Sequence, residues 1–262
     1  VWASGAAYEP FIGRWSRLVA REFLRWLAIP PGRRWLDVGC GTGVLTRGIL
    51  EVAQPAAVLG VDSSAEYIGF ARHQTSDPRA SFAVADARAL PDQAEPFDAV
   101  VAGLVLNFLP EPERALASMQ QVACPGATLA AYVWDYADGM QMLRAFWDAA
   151  VSLDSDAYGL DEGRRFGLCA AGALVEAFER AGLQQVEGRS IEVPTRFSSF
   201  DDYWSPFLGG QGPAPSYLAG LDSTRQAALR ERLQARLPLQ ADGSIELVAR
   251  AWAARGVTAD RT

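Results

Sequence analysis

No lysine occurs in this chain of 262 residues; all 24 of its basic side chains are arginine. That absence excludes Schiff-base chemistry, a pyridoxal phosphate anchor and a P-loop lysine. Histidine is almost as scarce, and a Ser-His-Asp triad would have to be built on His73 alone. A zinc site would have to combine that histidine with Cys40, Cys124 and Cys169, whose spacing matches no metal motif. Three cysteines, an odd number set far apart, fit reduced thiols, and the cytoplasm is the expected compartment. Long apolar runs are missing too. None approaches the roughly 18 residues of a membrane span, and the longest, Ala99 to Leu106, is broken by Gly103. The opening VWASGAAYEP has neither the basic nor the apolar region of a signal peptide. Concentrated positive charge is also lacking. A net charge of -7 and arginines thinly spread, apart from the pair Arg33-Arg34, argue against nucleic acid as the main partner.

What is present is an alternation. Phe11, Trp15, Leu18, Val19 and Phe23 recur at helical spacing between Pro10 and Ala28, and Pro30-Pro31-Gly32 stops that helix. RRWLDVG then predicts a strand, GVLTRGILEVA a helix, and Ala56 to Asp62 a buried strand. Ser63 and Glu66 have capping-box spacing and start a helix that runs to about His73, which falls on its surface. Ser81 to Asp86 and Phe97 to Leu104 are the third and fourth strands. Pro112 opens a helix that Cys124-Pro125-Gly126 ends, and Thr128 to Trp134 is the fifth strand. Apolar strands alternating with helices imply an α/β fold. The expectation is a doubly wound, mostly parallel Rossmann-like sheet of about seven strands, with helices on both faces.

After Trp134 the rhythm breaks. Asp135 to Phe166 contains helical stretches and no strand. A helix carrying Leu174, Val175 and Phe178 follows, with Gly182 as its cap. LQQVEGRSIEV and Ser244 to Ala254 are the remaining strand candidates. Between them lies a long segment rich in aromatics and prolines, including Phe197, Tyr203, Trp204, Phe207 and Tyr217. Interruptions of that length are usually functional, and 135–166 with 194–241 are expected to form a helical lid over a substrate site. The whole chain, 1–262, reads as one domain with a cofactor-binding core at 35–134.

The strongest local signal is WLDVGCGTG, Trp35 to Gly43. A strand runs into Gly39, Gly41 and Gly43 and a helix follows at once, so backbone and ligand approach closely. The nicotinamide fingerprint needs a glycine at position 44, where this chain has Val44. Asp37 precedes the glycines, Asp62 closes the second strand, and Asp86 closes the third beside Ala87. A carboxylate at the position of Asp62 suits ribose hydroxyls. Asp86 suits an adenine amino group, or else caps a turn.

These motifs, in this order, resemble the class I S-adenosylmethionine-dependent methyltransferases, in particular the small-molecule group that includes the ubiquinone and menaquinone enzymes. LDVGCGTG is similar to their first motif, VLGVDSS to the second and VADARALP to the third. FDAVVAGLVLNFLPEPERALASMQQVACPGATL is similar to their fourth strand, next helix and Pro-Gly turn. The resemblance covers Trp35 to Trp134. It implies that the loop Gly39 to Gly43, with Cys40 and Gly41 in it, meets the methionine half of S-adenosylmethionine, and Asp37 just before it is counted among the cofactor-binding residues. By the same likeness Asp62 takes the ribose with Ser63 following it, Asp86 and Ala87 take the adenine, and Ala102 to Leu104 line the floor near the sulfonium. YEPFIGRWSR is similar to the family's N-terminal helix, which puts Tyr8 and Trp15 over the cofactor. Two departures stand out. Asn107-Phe108 replaces a segment where many relatives carry histidine, and the usual Pro-Gly-Gly turn reads Pro125-Gly126-Ala127. The implied activity is in-line methyl transfer to a small organic acceptor, with Asp135, at the end of the fifth strand, the first candidate for a catalytic base. The alternative is a non-catalytic protein that binds the cofactor or its demethylated product and regulates a partner.

Overall fold

The computed structural model describes residues 13–92, 94–209 and 212–259. Seven strands form one sheet: β1 (Arg34–Val38), β2 (Ala57–Asp62), β3 (Ala80–Val84), β4 (Phe97–Gly103), β5 (Ala123–Trp134), β6 (Gln184–Phe197) and β7 (Ile245–Val257). Their order is β3-β2-β1-β4-β5-β7-β6. The pairs β1–β2, β2–β3, β1–β4 and β4–β5 are parallel. β7 runs the other way: Asp135 pairs with Arg250 and Ala127 with Thr258, so partner numbers fall as chain numbers rise. The doubly wound, mostly parallel sheet expected from the sequence is therefore the fold observed.

By the clustering of its contacts the chain divides into two compact units. The larger comprises Ser16–Val133, Leu168–Ile191 and the described residues from Ala251 on. It holds the parallel strands with most of α1 (Arg14–Leu27), and with α2 (Val44–Val52), α3 (Ala65–Gln74), α4 (Pro112–Gln121) and α7 (Ala173–Arg180). Ala99, Val100, Val101, Ala102, Leu129, Ala130 and Ala131 are fully buried. Consecutive buried residues mean that both faces of these central strands are covered, which is why β4 and β5 read as unbroken apolar runs.

The smaller unit comprises Arg14 and Trp15, Trp134–Gly167 and Glu192–Arg250. Its helices are α5 (Gln141–Leu153), α6 (Glu162–Arg165), α8 (Phe200–Trp204), α9 (Pro213–Gly220) and α10 (Ser223–Arg236). Phe146, Trp147, Phe197, Tyr203 and Phe207 are fully buried there. Phe146 and Phe207 stack at 4.5 Å, and the Tyr203 hydroxyl donates to the Met142 carbonyl at 2.8 Å.

Local differences from the sequence reading have local causes. The N-cap of α3 is Ser64, one residue later than expected: its hydroxyl accepts from the Tyr67 N–H at 3.3 Å. β5 begins at Ala123, before the Pro-Gly pair, because the register with β4 jumps from Phe97↔Ala123 to Ala99↔Thr128. The extra residues form a bulge that Thr258 closes, its hydroxyl accepting from the Ala127 N–H at 2.9 Å and donating to the Cys124 carbonyl at 2.7 Å.

Candidate functional site

In the strand order, β1 lies between β2 and β4, and the chain leaves β1 in one direction and returns on the other side. In an open α/β sheet this switch point is where ligands bind, beyond the carboxyl ends of the strands. The loop Gly39 to Gly43 leaves β1 there. Gly39 and Gly41 have φ of 72° and 51°, in the left-handed region that glycine enters at little cost. Their requirements differ otherwise. A β-carbon on Gly39 would meet the Val105 side chain at 2.5 Å, whereas one on Gly41 would meet none of the described residues within 4 Å. Gly39 is thus a packing glycine against the segment after β4, and Gly41 has no such neighbour among the described residues. The Gly39 and Cys40 N–H groups both donate to the Val61 carbonyl, at 2.7 and 2.9 Å. Gly43 precedes α2 with no side-chain cap, leaving the first N–H groups of that helix for other partners.

Asp62 is tied into the same loop. One carboxylate oxygen accepts from the Gly41 N–H at 3.0 Å and the other from the Ser64 N–H at 2.8 Å. Both oxygens are therefore oriented and each keeps a lone pair. Asp37 is completely buried. The Thr46 hydroxyl donates to one of its oxygens at 2.6 Å, and the other has no hydrogen-bond partner. Burial pushes this carboxyl up to about 7, the Thr46 hydrogen bond opposes the rise, and the charge of Asp62 adds to it. Cys40 packs with Ile68, Ala71 and Phe82, and burial drives its thiol well above the usual range, so it is an inert packing group.

Asp86 is exposed and makes the turn cap, accepting from the Arg88 N–H at 2.9 Å. The Arg88 side chain also grips it, Nε at 3.0 Å and Nη2 at 2.7 Å, and these hydrogen bonds lower its carboxyl to about 2. Ala87 is buried beside it and Ser63 is exposed. At the end of β4, Ala102 is fully buried and Leu104 has φ of 58°, uncommon for a residue with a β-carbon. The Leu104 N–H donates to the Tyr132 carbonyl at 2.8 Å, and Gly103 leaves room for the Tyr132 hydroxyl.

The family described as methyltransferase domain matches residues 36–131, the segment that carries Asp37, the glycine loop, Asp62, Asp86 and Leu104. The chain is 30% identical over 187 residues to 2-methyl-6-phytyl-1,4-hydroquinone methyltransferase of Synechocystis, covering 70% of this chain and 57% of that one. It is 34% identical over 116 residues to demethylmenaquinone methyltransferase of Renibacterium salmoninarum, covering 44% and 46%. The chain thus spans about half the length of these curated relatives. A solved structure from Anaeromyxobacter dehalogenans superposes over 92% of this chain and 97% of its own with a TM-score of 0.66, at 22% identity. That likeness establishes the fold.

The remaining residues that the methyltransferase resemblance pointed to stand elsewhere. Tyr8 lies outside the described residues. Trp15 is in the smaller unit, buried edge-on against Phe197 at 5.2 Å. Asp135 is also there, 2% exposed and gripped by Arg250, whose Nε and Nη2 both lie 2.7 Å from Oδ2. Its other oxygen accepts from the Asp138 N–H at 3.0 Å. Both carboxylate oxygens are thus engaged within the smaller unit, by the Arg250 guanidinium and by the turn at Asp138, which is a structural use of Asp135. One residue of the larger unit, Thr46, was not singled out from sequence. Asn107 was, as a departure from the family's pattern, and its amide nitrogen and oxygen are both buried without partners among the described residues, in the 3₁₀ turn Leu106–Phe108.

Proposed function

We propose that this protein transfers a methyl group from S-adenosylmethionine to a small organic acceptor and releases S-adenosylhomocysteine. The observation that carries the proposal is Asp37: a fully buried carboxylate with one bare oxygen, next to the glycine loop that the family uses for the cofactor. A buried polar atom without a partner is costly, on the order of 1–3 kcal/mol, and a cationic donor would recover that cost. The ammonium of the cofactor's methionine half is such a donor, so the residues present fit the group. Asp62, pre-oriented by Gly41 and Ser64, accepts from the ribose hydroxyls. Ala87 and Asp86 hold the adenine, Asp86 with its Arg88 pair intact. Ser63, Ala102 and Leu104 border the same ligand.

The cofactor supplies a methyl carbon on a sulfonium, which leaves as a neutral thioether when an acceptor lone pair attacks in line. The chain's part is to bind, orient and exclude water, and orientation alone is worth up to about 7–11 kcal/mol of barrier. The buried amide of Asn107 suits an acceptor oxygen or hydroxyl. Acceptor choice belongs to 135–166 and 194–241, which lie beyond the segment matched to the family. Hydroquinones are among the acceptors to try, since the Synechocystis relative is named for a hydroquinone and the Renibacterium relative for demethylmenaquinone.

Transfer of label from methyl-labelled S-adenosylmethionine into a panel of hydroquinones, phenols and small acids tests this reading. Labelled product, lost in Asp62→Ala, supports it. Saturable cofactor binding with no label transferred to any member would contradict an enzymatic role.

A further inference from the structure

The smaller unit contains a guanidinium with an edge left unused. Arg14 Nη1 donates to Asp202 Oδ1 at 3.1 Å, and Asp202 also accepts from the Ser198 N–H at 2.8 Å. The Arg14 guanidinium carbon lies over two rings, 4.7 Å from the Trp15 centroid and 4.8 Å from that of Phe197. Its Nε and Nη2 are buried and have no hydrogen-bond partner. These two N–H groups share one edge and point in parallel, the arrangement that matches a carboxylate. This chain fills the same edge elsewhere: Arg79 holds Asp77 with Nε at 3.0 Å and Nη2 at 2.7 Å, and Arg88 holds Asp86 with the same two distances. At Arg14 no acid among the described residues fills that edge, and the guanidinium carbon lies over two rings.

A second polar orphan lies two residues before Phe197 on β6. Thr195 is 1% exposed and its hydroxyl has no partner. In β6 the buried positions alternate through Ile191, Val193, Thr195 and Phe197, so Thr195 shares the inward face with the ring under Arg14. An unfilled bidentate donor edge, an unfilled hydroxyl and flat apolar rings together describe a receptor for a carboxylate on a planar body. The Arg14 side chain as a whole is 32% exposed, while its two unfilled donors are themselves buried.

We propose that Arg14, with Thr195, forms a carboxylate-binding site in the smaller unit. Taken with the methyltransferase reading, on which this second step rests, the carboxylate is carried by the methyl acceptor. The cofactor's methionine carboxylate is the other source of the same chemistry.

The test uses the full chain with benzoate and its neutral counterpart benzamide as probes, followed by calorimetry and by the fluorescence of tryptophan. Benzoate should saturate, and benzamide should bind at least about tenfold more weakly. Arg14→Gln should weaken benzoate at least about tenfold, and Arg14→Lys, which keeps the charge and loses the fork, should weaken it as well. Should Arg14→Gln fail to fold by circular dichroism, Thr195→Val replaces it, and a severalfold loss for benzoate alone is expected. Equal affinity for benzoate and benzamide, or benzoate binding unchanged in folded variants, would overturn the site; so would tighter binding of inorganic phosphate than of benzoate. The source is read from S-adenosylhomocysteine and its decarboxylated analogue. Affinities for both that are unaffected by Arg14→Gln assign the carboxylate to the acceptor. A loss confined to the carboxylated form assigns it to the cofactor and leaves the site standing. Absence of S-adenosylhomocysteine binding by the unmodified protein would sink the methyltransferase reading and leave the benzoate result intact.

Discussion

A carboxylate with one oxygen bonded and the other bare, as in Asp37, responds to both pH and ligand. Because burial raises it to about 7, the folded chain binds a proton that the unfolded chain has released between about pH 4 and pH 7. The sign follows: stability of the ligand-free protein falls as pH rises through that window, and Asp37→Asn removes most of the slope. Denaturant melts at pH 5 and pH 7.5 check it. A cationic ligand needs the ionised form, so affinity for S-adenosylhomocysteine should be about tenfold higher at pH 8 than at pH 6. Calorimetry at the two pH values reads this directly. A flat profile would show that Asp37 does not face the ligand's ammonium. Little of this was visible in the sequence. Asp37 stood out from its position before the glycines, but its partner Thr46 comes from the next helix, where one turn positions a hydroxyl against the end of β1. The roles of Asp62 and Ser64 were half legible. The acid could be read from the strand end, whereas the choice between Ser63 and Ser64 as cap depends on a backbone angle that neither residue dictates.

Elements explain why some sequence readings succeeded. β4 and β5 were legible because strands covered on both faces must be apolar throughout. The reversal of β7 was not, since side-chain alternation is the same in either direction. The bulge at the start of β5 was hidden too, because its closing residue, Thr258, lies at the far end of the chain. Thr258→Val should leave the Ala127 N–H unpaired and cost about 1–3 kcal/mol, measured as a drop in denaturant midpoint with unchanged cofactor affinity. Asp135 makes the corresponding case in the smaller unit. Its pair with Arg250 joins the end of β5 to β7, and Arg250 is 27% exposed. Asp135→Asn should destabilise by about 3 kcal/mol, the lower end for a broken buried pair. Cofactor affinity should not change, and in a variant that remains folded kcat should fall less than about threefold. A loss of several hundredfold in kcat without loss of stability would instead assign Asp135 the role of the base.

At the scale of the whole molecule, the two units differ in how much their sequences disclose. The larger unit carries ordered motifs in which glycine, acid and strand end recur at fixed spacing, so fold and cofactor class were readable together. The smaller unit offered only aromatics. Their plain use is as its own core: Trp147, Tyr203 and Phe207 are fully buried and contact Phe146, Phe197 and one another's neighbours. A core and a binding surface draw on the same residue types, and composition does not separate them. The unfilled edge of Arg14 is a different kind of signal, since it appears only when every donor has been given its acceptor. No helix among the described residues is long and apolar enough to cross a membrane.

The central claim, that the glycine loop and the strand-end acids hold S-adenosylmethionine, is tested most directly by calorimetric titration of the protein and of Asp62→Ala with S-adenosylmethionine and with NAD. The unmodified protein should bind the sulfonium cofactor saturably and NAD at least about a hundredfold more weakly. Asp62→Ala, with an unchanged circular dichroism spectrum, should lose at least about tenfold, since each charge-assisted hydrogen bond is worth about 1.5–3 kcal/mol. Tight binding of NAD with none of the sulfonium cofactor, or an Asp62→Ala affinity equal to that of the unmodified protein, would contradict the account.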